Sequence, residues 1–176
     1  MKEFILNTKE LCEYSHKIHA GDKVVLSGKV YTARDAAHKK LEELIKNNKE
    51  LPFSLNEAVI YYAGPTPTPK GLAIGSCGPT TSSRMNSYSP LLFDLGVRCT
   101  IGKGPVSQEV CDSIIKNNSI YLCAIGGAGA LSASCITKCE VVAFEELGCE
   151  AVRLLEFSNF PLICGVDCRG GNIFKK

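Results

Sequence analysis

Four stretches of this sequence gather groups that bind anions or move protons. The richest is Gly75-Ser76-Cys77-Gly78-Pro79-Thr80-Thr81-Ser82-Ser83-Arg84-Met85. Glycines let a backbone approach a ligand closely, and helix-start amides with nearby hydroxyls favour an anion. Arg84 adds a planar fork suited to a carboxylate or phosphate. An ordinary N-capped helix entry has the same composition, because Ser and Thr favour that position in any protein.

The other three are Arg34-Asp35 with His38 one turn further on, Gly102-Lys103-Gly104, and the glycine-rich run 126–129. Each follows an apolar run, and α/β sheets place ligands at such strand exits. Two arginines and a lysine with almost no acidic neighbours suit a small dicarboxylate. A single Arg or Lys is ordinarily just a solvated charge. His38 reads more simply as a helix-packing or solvent-facing histidine than as a catalytic one. Gly127-Ala128-Gly129-Ala130-Leu131-Ser132 lacks the third glycine of a dinucleotide fingerprint, and Glu140 precedes Val141 instead of following that strand. A nicotinamide site is therefore disfavoured.

Alternating strands and helices must position these groups. Val24–Tyr31 reads as a strand, and Ala37, Leu41, Leu44 and Ile45 mark one face of the helix that follows. Ala58–Ala63 is a second strand, then a proline-rich turn, and Leu72–Ile74 a third strand feeding a helix that runs to about Leu95. Cys99–Ile101 and Ile120–Ala124 flank a helix capped by Ser107. A helix opens at the 126–129 glycines, Val141–Phe144 is a strand, and Val152–Phe157 and Pro161–Val166 are two strands joined by a turn. A further turn falls at Arg169–Asn172. Residues 1 to about 20 are polar and mixed, an arm or edge strand. The pattern predicts one layered α/β domain over residues 1–176.

At 176 residues and 45% hydrophobic, the chain is long enough for one well-buried core. A net charge of +2 with interleaved acids and bases gives no nucleic-acid surface. No apolar run approaches the roughly 20 residues of a membrane span, and the N-terminus lacks a signal-peptide core. A soluble, cytoplasmic protein is expected. The ten cysteines include no Cys-x-x-Cys; the closest pairs, Cys135/Cys139 and Cys164/Cys168, are four apart. Most of the others lie inside apolar runs, as reduced small hydrophobes rather than disulfides or metal ligands.

Five motifs then occur in series: Thr32-Ala33-Arg34-Asp35-Ala36-Ala37-His38-Lys39, Tyr62-Ala63-Gly64-Pro65, Gly78-Pro79-Thr80-Thr81-Ser82-Ser83-Arg84-Met85, Ile101-Gly102-Lys103-Gly104 and Ala124-Ile125-Gly126-Gly127-Ala128. From about Gly21 to Phe174 the chain resembles the β subunit of class I, iron–sulfur-dependent fumarate hydratase, itself related to the β subunit of L-tartrate dehydratase. The resemblance implies a swivelling β/β/α domain that closes over a site shared with an α subunit. It implies a 4Fe–4S cluster held by three cysteines of that α subunit, so no cofactor or metal ligand in this chain, and a heterodimer or heterotetramer. By matching position, Arg34, Arg84 and Lys103 would clamp substrate carboxylates with Thr81 beside them, and Thr80 would transfer the proton. A threonine hydroxyl is a poor base, so that role needs a strongly shifted environment, for which a cationic cluster has the right sign.

The activity implied is reversible trans addition of water to the double bond of a small dicarboxylate. Ala33, Ser82-Ser83 and Asn86 depart from the commonest fumarase wording without touching the cationic positions. Ala-Arg-Asp-Ala-Ala-His leans toward fumarate over tartrate. A stand-alone dicarboxylate-binding module is a rival from another class; it would bind the diacid tightly without any partner.

Overall fold

The computed structural model describes residues 1–175. Seven strands form one sheet: β1 (Glu3–Asn7), β2 (Lys23–Thr32), β3 (Val59–Tyr61), β4 (Cys99–Gly102), β5 (Ile120–Cys123), β6 (Ile136–Ala143) and β7 (Val152–Val166). β2, β3, β4 and β5 run parallel in that order, β7 pairs antiparallel with β5, and β7 also pairs antiparallel with β2. The ring β2–β3–β4–β5–β7 is therefore closed, with β1 added to β2 and β6 to β7. The fold is mixed α/β, as the sequence predicts.

The helices are α1 (Leu11–Tyr14), α2 (Asp35–Lys46), α3 (Ser89–Asp94), α4 (Gln108–Lys116) and α5 (Gly129–Ser134). Alternate strand residues serve two cores. Tyr61, Cys99, Ile101, Leu122, Leu155 and Phe157 fill the inside of the closed sheet. Ile60, Tyr62 and Tyr121 point the other way, onto Ala37 and Leu41 of α2, Phe93 of α3 and Ile114 of α4. Strand alternation and the helical stripe thus meet as the period-2 and period-3.6 patterns require. Ser107 caps α4 by accepting from the Val110 amide at 3.4 Å, as the sequence indicates. β1 is the edge strand anticipated in residues 1–20.

Four expectations need correction. Leu72–Ile74 is not a strand. It belongs to an irregular loop, since β3 already has β2 and β4 on its two sides and Leu72 is largely exposed. The segment after Thr81 opens only a single 3₁₀ turn, Ser82–Met85, without a side-chain cap, and α3 is only six residues long. No long helix starts there to hold an anion at its N-terminus. β6 begins at Ile136, five residues ahead of the expected strand, because its first half offers only Ile136 and Cys139 between the exposed Thr137 and Lys138, too sparse a pattern to read as a strand. Finally, β7 is one strand of 15 residues. Ser158-Asn159 resembles a turn, but both halves pair with β2. The strand continues through an irregularity in which Asn159 takes φ 51° and donates its amide to Ser27 Oγ at 2.9 Å.

No helix of the described residues is long and apolar enough to cross a membrane. All ten thiols are free, and Cys77, Cys99, Cys111, Cys164 and Cys168 are buried. Burial pushes the Cys77 thiol up to about 12 and that of Cys99 well above its ordinary value. A buried thiol so far from ionisation is a small apolar side chain, neither a nucleophile nor a ready metal ligand.

Candidate active site

The proposed site residues lie at neighbouring strand exits and are stitched together by backbone bonds. Just past β3, the Tyr62 amide donates to the Ile101 carbonyl at 2.8 Å, and the Tyr62 carbonyl accepts from the Thr80 amide at 2.7 Å. Just past β4, Thr81 pairs with Lys103 in a parallel bridge, and the Lys103 carbonyl accepts from the Ser82 amide at 3.0 Å. Thr80 and Thr81 therefore bridge the ends of two central strands. Ser82 is buried beneath them, its hydroxyl 2.8 Å from the Tyr121 hydroxyl, which also donates to the Gly104 carbonyl at 2.9 Å. A Cβ at Gly102 would fall 2.0 Å from Ser82 Oγ, so glycine is required at that crossing.

Arg84 and Thr80 touch directly: Arg84 Nη2 donates to Thr80 Oγ1 at 2.5 Å. The same nitrogen lies 3.1 Å from Asp35 Oδ2, on the first turn of α2. Arg34 immediately precedes α2, with its guanidinium 3.5 Å from Glu150 Oε1; the other oxygen of Glu150 accepts from the Ala36 amide at 2.9 Å. A Cβ at Gly64 would meet Arg34 Nη1 at 2.9 Å, so the Tyr62-Ala63-Gly64-Pro65 motif makes room for this side chain. Thr80 thus touches Arg84, Thr81 is bridged to Lys103, and Arg34 directly precedes Asp35, the partner of Arg84.

The expectation that the cations lack acidic company fails. Each arginine has a carboxylate, Asp35 for Arg84 and Glu150 for Arg34. Among the described residues Lys103 makes no ion pair. Glu150 is the participant that the sequence reading missed. It sits in the 3₁₀ segment Glu145–Glu150 before β7, where nothing in the local sequence marks it.

The glycine run 126–129 has a packing explanation. A Cβ at Gly126 would lie 3.2 Å from Lys103 Cδ, and one at Gly129 would lie 2.3 Å from Ser76 Oγ. The Gly129 carbonyl accepts from the Cys77 amide at 3.0 Å. These glycines seat two loops against each other and leave a channel for Lys103. A cavity of about 480 Å³ lies elsewhere. It is lined by Asn7, Lys9, Lys29, Asn56, Glu57 and Glu156 among others, and none of the clustered residues reaches it.

His38 is buried, between the Tyr62 and Tyr88 rings at 5.4 and 5.6 Å between centroids. Its Nδ1 lies 2.8 Å from the Arg34 carbonyl, an acceptor only, so Nδ1 carries the proton and Nε2 has no partner. Burial lowers its pKa to about 4, despite the Arg34 carbonyl, Asp35 and Glu150, which favour the cation. His38 therefore anchors the Arg34 backbone as a neutral packing residue.

That shift sets a stability prediction. The folded pKa lies below the ordinary value of about 6.5, so unfolding takes up a proton as pH falls below that value. Stability is full above about pH 6.5 and is lost as pH falls toward 4. By pH 5 the loss amounts to about 2 kcal/mol. Unfolding free energies from urea titrations at pH 7 and pH 5 should differ by that much, and His38→Gln should flatten the difference. An unchanged slope in the variant would remove His38 as its cause.

Comparison with known proteins places this geometry in a family. The model for the Fumarase C-terminus matches residues 1–176. Fumarate hydratase 2 of Leishmania major is 42% identical over 158 residues, which is 89% of this chain and 28% of that protein. The anaerobic class I fumarate hydratase of Escherichia coli (strain K12) is 41% identical over 170 residues, 96% of this chain and 31% of that protein. The Methanocaldococcus jannaschii protein named "Putative L(+)-tartrate dehydratase subunit beta" is 42% identical over 166 residues, 91% of this chain and 85% of that protein. The chain spans less than a third of these fumarate hydratases and most of the tartrate dehydratase subunit. It belongs to the Fumarase C-terminus family.

Proposed function

We propose that this chain is the β subunit of a hydro-lyase that interconverts fumarate and L-malate together with an α subunit, closing over the shared site as a swivelling domain. The observation that carries the reading is the Arg84–Thr80 contact, with Lys103 bridged to the neighbouring Thr81 and Arg34 beside Asp35, the partner of Arg84. A dicarboxylate needs cations for both ends and a proton-transfer group between them. Arg34 and Lys103 supply carboxylate contacts, and Thr81 lines the approach. Thr80 Oγ1, accepting from Arg84, lies in a positive field that stabilises its alkoxide, the form able to take a proton from the substrate carbon. The cations stabilise the enolate-like charge that proton removal creates.

A 4Fe–4S cluster does not fit this chain's own donor set. Among the described residues no three His, Cys, Asp or Glu side chains converge on one point, and the buried thiols are held in their neutral form. The reading therefore assigns the cluster, and the Lewis acidity it supplies for the departing hydroxyl, to the α subunit.

The second reading is the same chemistry on L-tartrate. It is favoured by the length match to the tartrate dehydratase subunit, of which this chain covers 85%. An anoxic assay of fumarate hydration decides between them, with the chain mixed with its iron–sulfur-reconstituted partner and each tested alone. Activity is expected only in the mixture. An intact, assembled complex that is inactive on fumarate and active on tartrate would move the assignment to tartrate. Tight diacid binding by this chain alone would favour a binding module.

A further inference from the structure

The acidic partners of the arginines point beyond substrate clamping. Arg84 Nη2 carries two hydrogens, and two acceptors flank it: Thr80 Oγ1 at 2.5 Å and Asp35 Oδ2 at 3.1 Å. Dividing that nitrogen between them occupies the one shared by both two-point edges of the planar fork and leaves the Nη1 hydrogens for a one-point contact with a carboxylate. Asp35 is available for this because its usual task on the first turn of a helix is done by another group. Glu150, not Asp35, accepts from the Ala36 amide, and Arg34 has no side-chain cap to offer. Thr80 is fixed by its backbone bond to Tyr62, whereas the Arg84 side chain leaves a one-turn 3₁₀ segment and is about half exposed. A long, half-exposed side chain keeps several rotamers unless something holds it.

We propose that Asp35 is a positioning residue that holds the Arg84 guanidinium against the Thr80 hydroxyl before substrate arrives. This rests on the hydro-lyase reading for its kinetic consequence but not for its geometry. The carboxylate acts in two ways. It orients Arg84 for proton transfer, and it competes with the incoming substrate carboxylate for the same cation. The other charged groups at this corner are Arg34, Glu150 and Lys103, with His38 neutral beneath them. Glu150 stands to Arg34 as Asp35 stands to Arg84, so the site rests with each arginine already aimed.

The competition separates positioning from mere structural support. Asp35→Asn keeps the volume and removes the charge, so kcat of the assembled enzyme should fall about tenfold while KM for the diacid falls as well. A variant that simply folds poorly would lose active enzyme at constant KM. Asp35→Glu should restore the carboxylate and recover part of kcat. A second measurement needs no activity. In the chain alone, ¹⁵N-detected NMR of the Arg84 side chain should show slowed rotation and solvent exchange in the wild type, relaxing to free-arginine behaviour in Asp35→Asn. Unchanged kcat and KM in Asp35→Asn, or an Arg84 signal as mobile in the wild type as in the variant, would overturn the proposal. If the wild-type complex turns over neither diacid, the hydro-lyase reading fails, and the NMR comparison alone decides the role of Asp35.

Discussion

Thr80→Val in the assembled enzyme should abolish turnover, with kcat falling by about 10³-fold and subunit assembly unchanged. Valine keeps the branched shape and removes only the oxygen. The Thr80 position is set by its backbone, through the amide bond to the Tyr62 carbonyl at 2.7 Å and the bridge between Ala63 and Pro79, so the loop should hold its course. What disappears is the acceptor of the 2.5 Å bond from Arg84. A positioned proton-transfer group contributes about 10²–10⁴-fold, and a strongly shifted hydroxyl belongs toward the upper end. Thr80→Ser, which restores the oxygen without the methyl, should recover most of the rate. Single-turnover kinetics on the complex, with thermal melting of the chain alone, separates chemistry from folding. Wild-type kcat in Thr80→Val would take Thr80 out of the mechanism.

The parts of this fold that were legible in the sequence are those whose apolar pattern reports their surroundings. β3, β4 and β5 are buried on two faces and read as apolar runs; β2 alternates buried and more exposed residues and reads through its β-branched content, and α2 and α4 carry one-sided stripes. β6 read only in its C-terminal half, because its first half sets Ile136 and Cys139 apart with two exposed polar residues. The continuity of β7 was hidden for a different reason. Ser158-Asn159 has turn composition, and only pairing of both its flanks with β2 shows that the strand runs on. Pairing is a long-range property with no local signature.

The same division holds in the site. Residue types at strand exits pointed to Arg34, Thr80, Thr81, Arg84 and Lys103, and the fold brings them together. Their acidic partners were invisible. Glu150 bonds to an amide 114 residues away in sequence, and Asp35 stands beside Arg34 yet pairs with Arg84. His38 read from the sequence as a packing or solvent-facing residue rather than a catalytic one, and its burial decides for packing.

The second large effect is expected at Arg84, where one side chain serves two purposes. Arg84→Met should lower kcat/KM of the complex by about 10³-fold or more, with kcat and KM both affected. The loss has two sources. A charge-assisted bond to a substrate carboxylate is worth about 1.5–3 kcal/mol. Removing a preorganised donor from an oxygen that gains charge costs a further 2.7–4 kcal/mol or so. Stability should barely change, because Arg84 and Asp35 are both about half exposed, and an exposed pair is worth about 0–1 kcal/mol. Arg84→Lys should not rescue. An ammonium group is a compact point charge on a flexible stem, without the planar group that can bind Thr80 and Asp35 with one nitrogen and still offer Nη1 to the substrate. Lysine should therefore recover some of KM and little of kcat, a split that measures the geometry apart from the charge. Unchanged kcat and KM in Arg84→Met would defeat the assignment of Arg84 to both the substrate and the Thr80 hydroxyl.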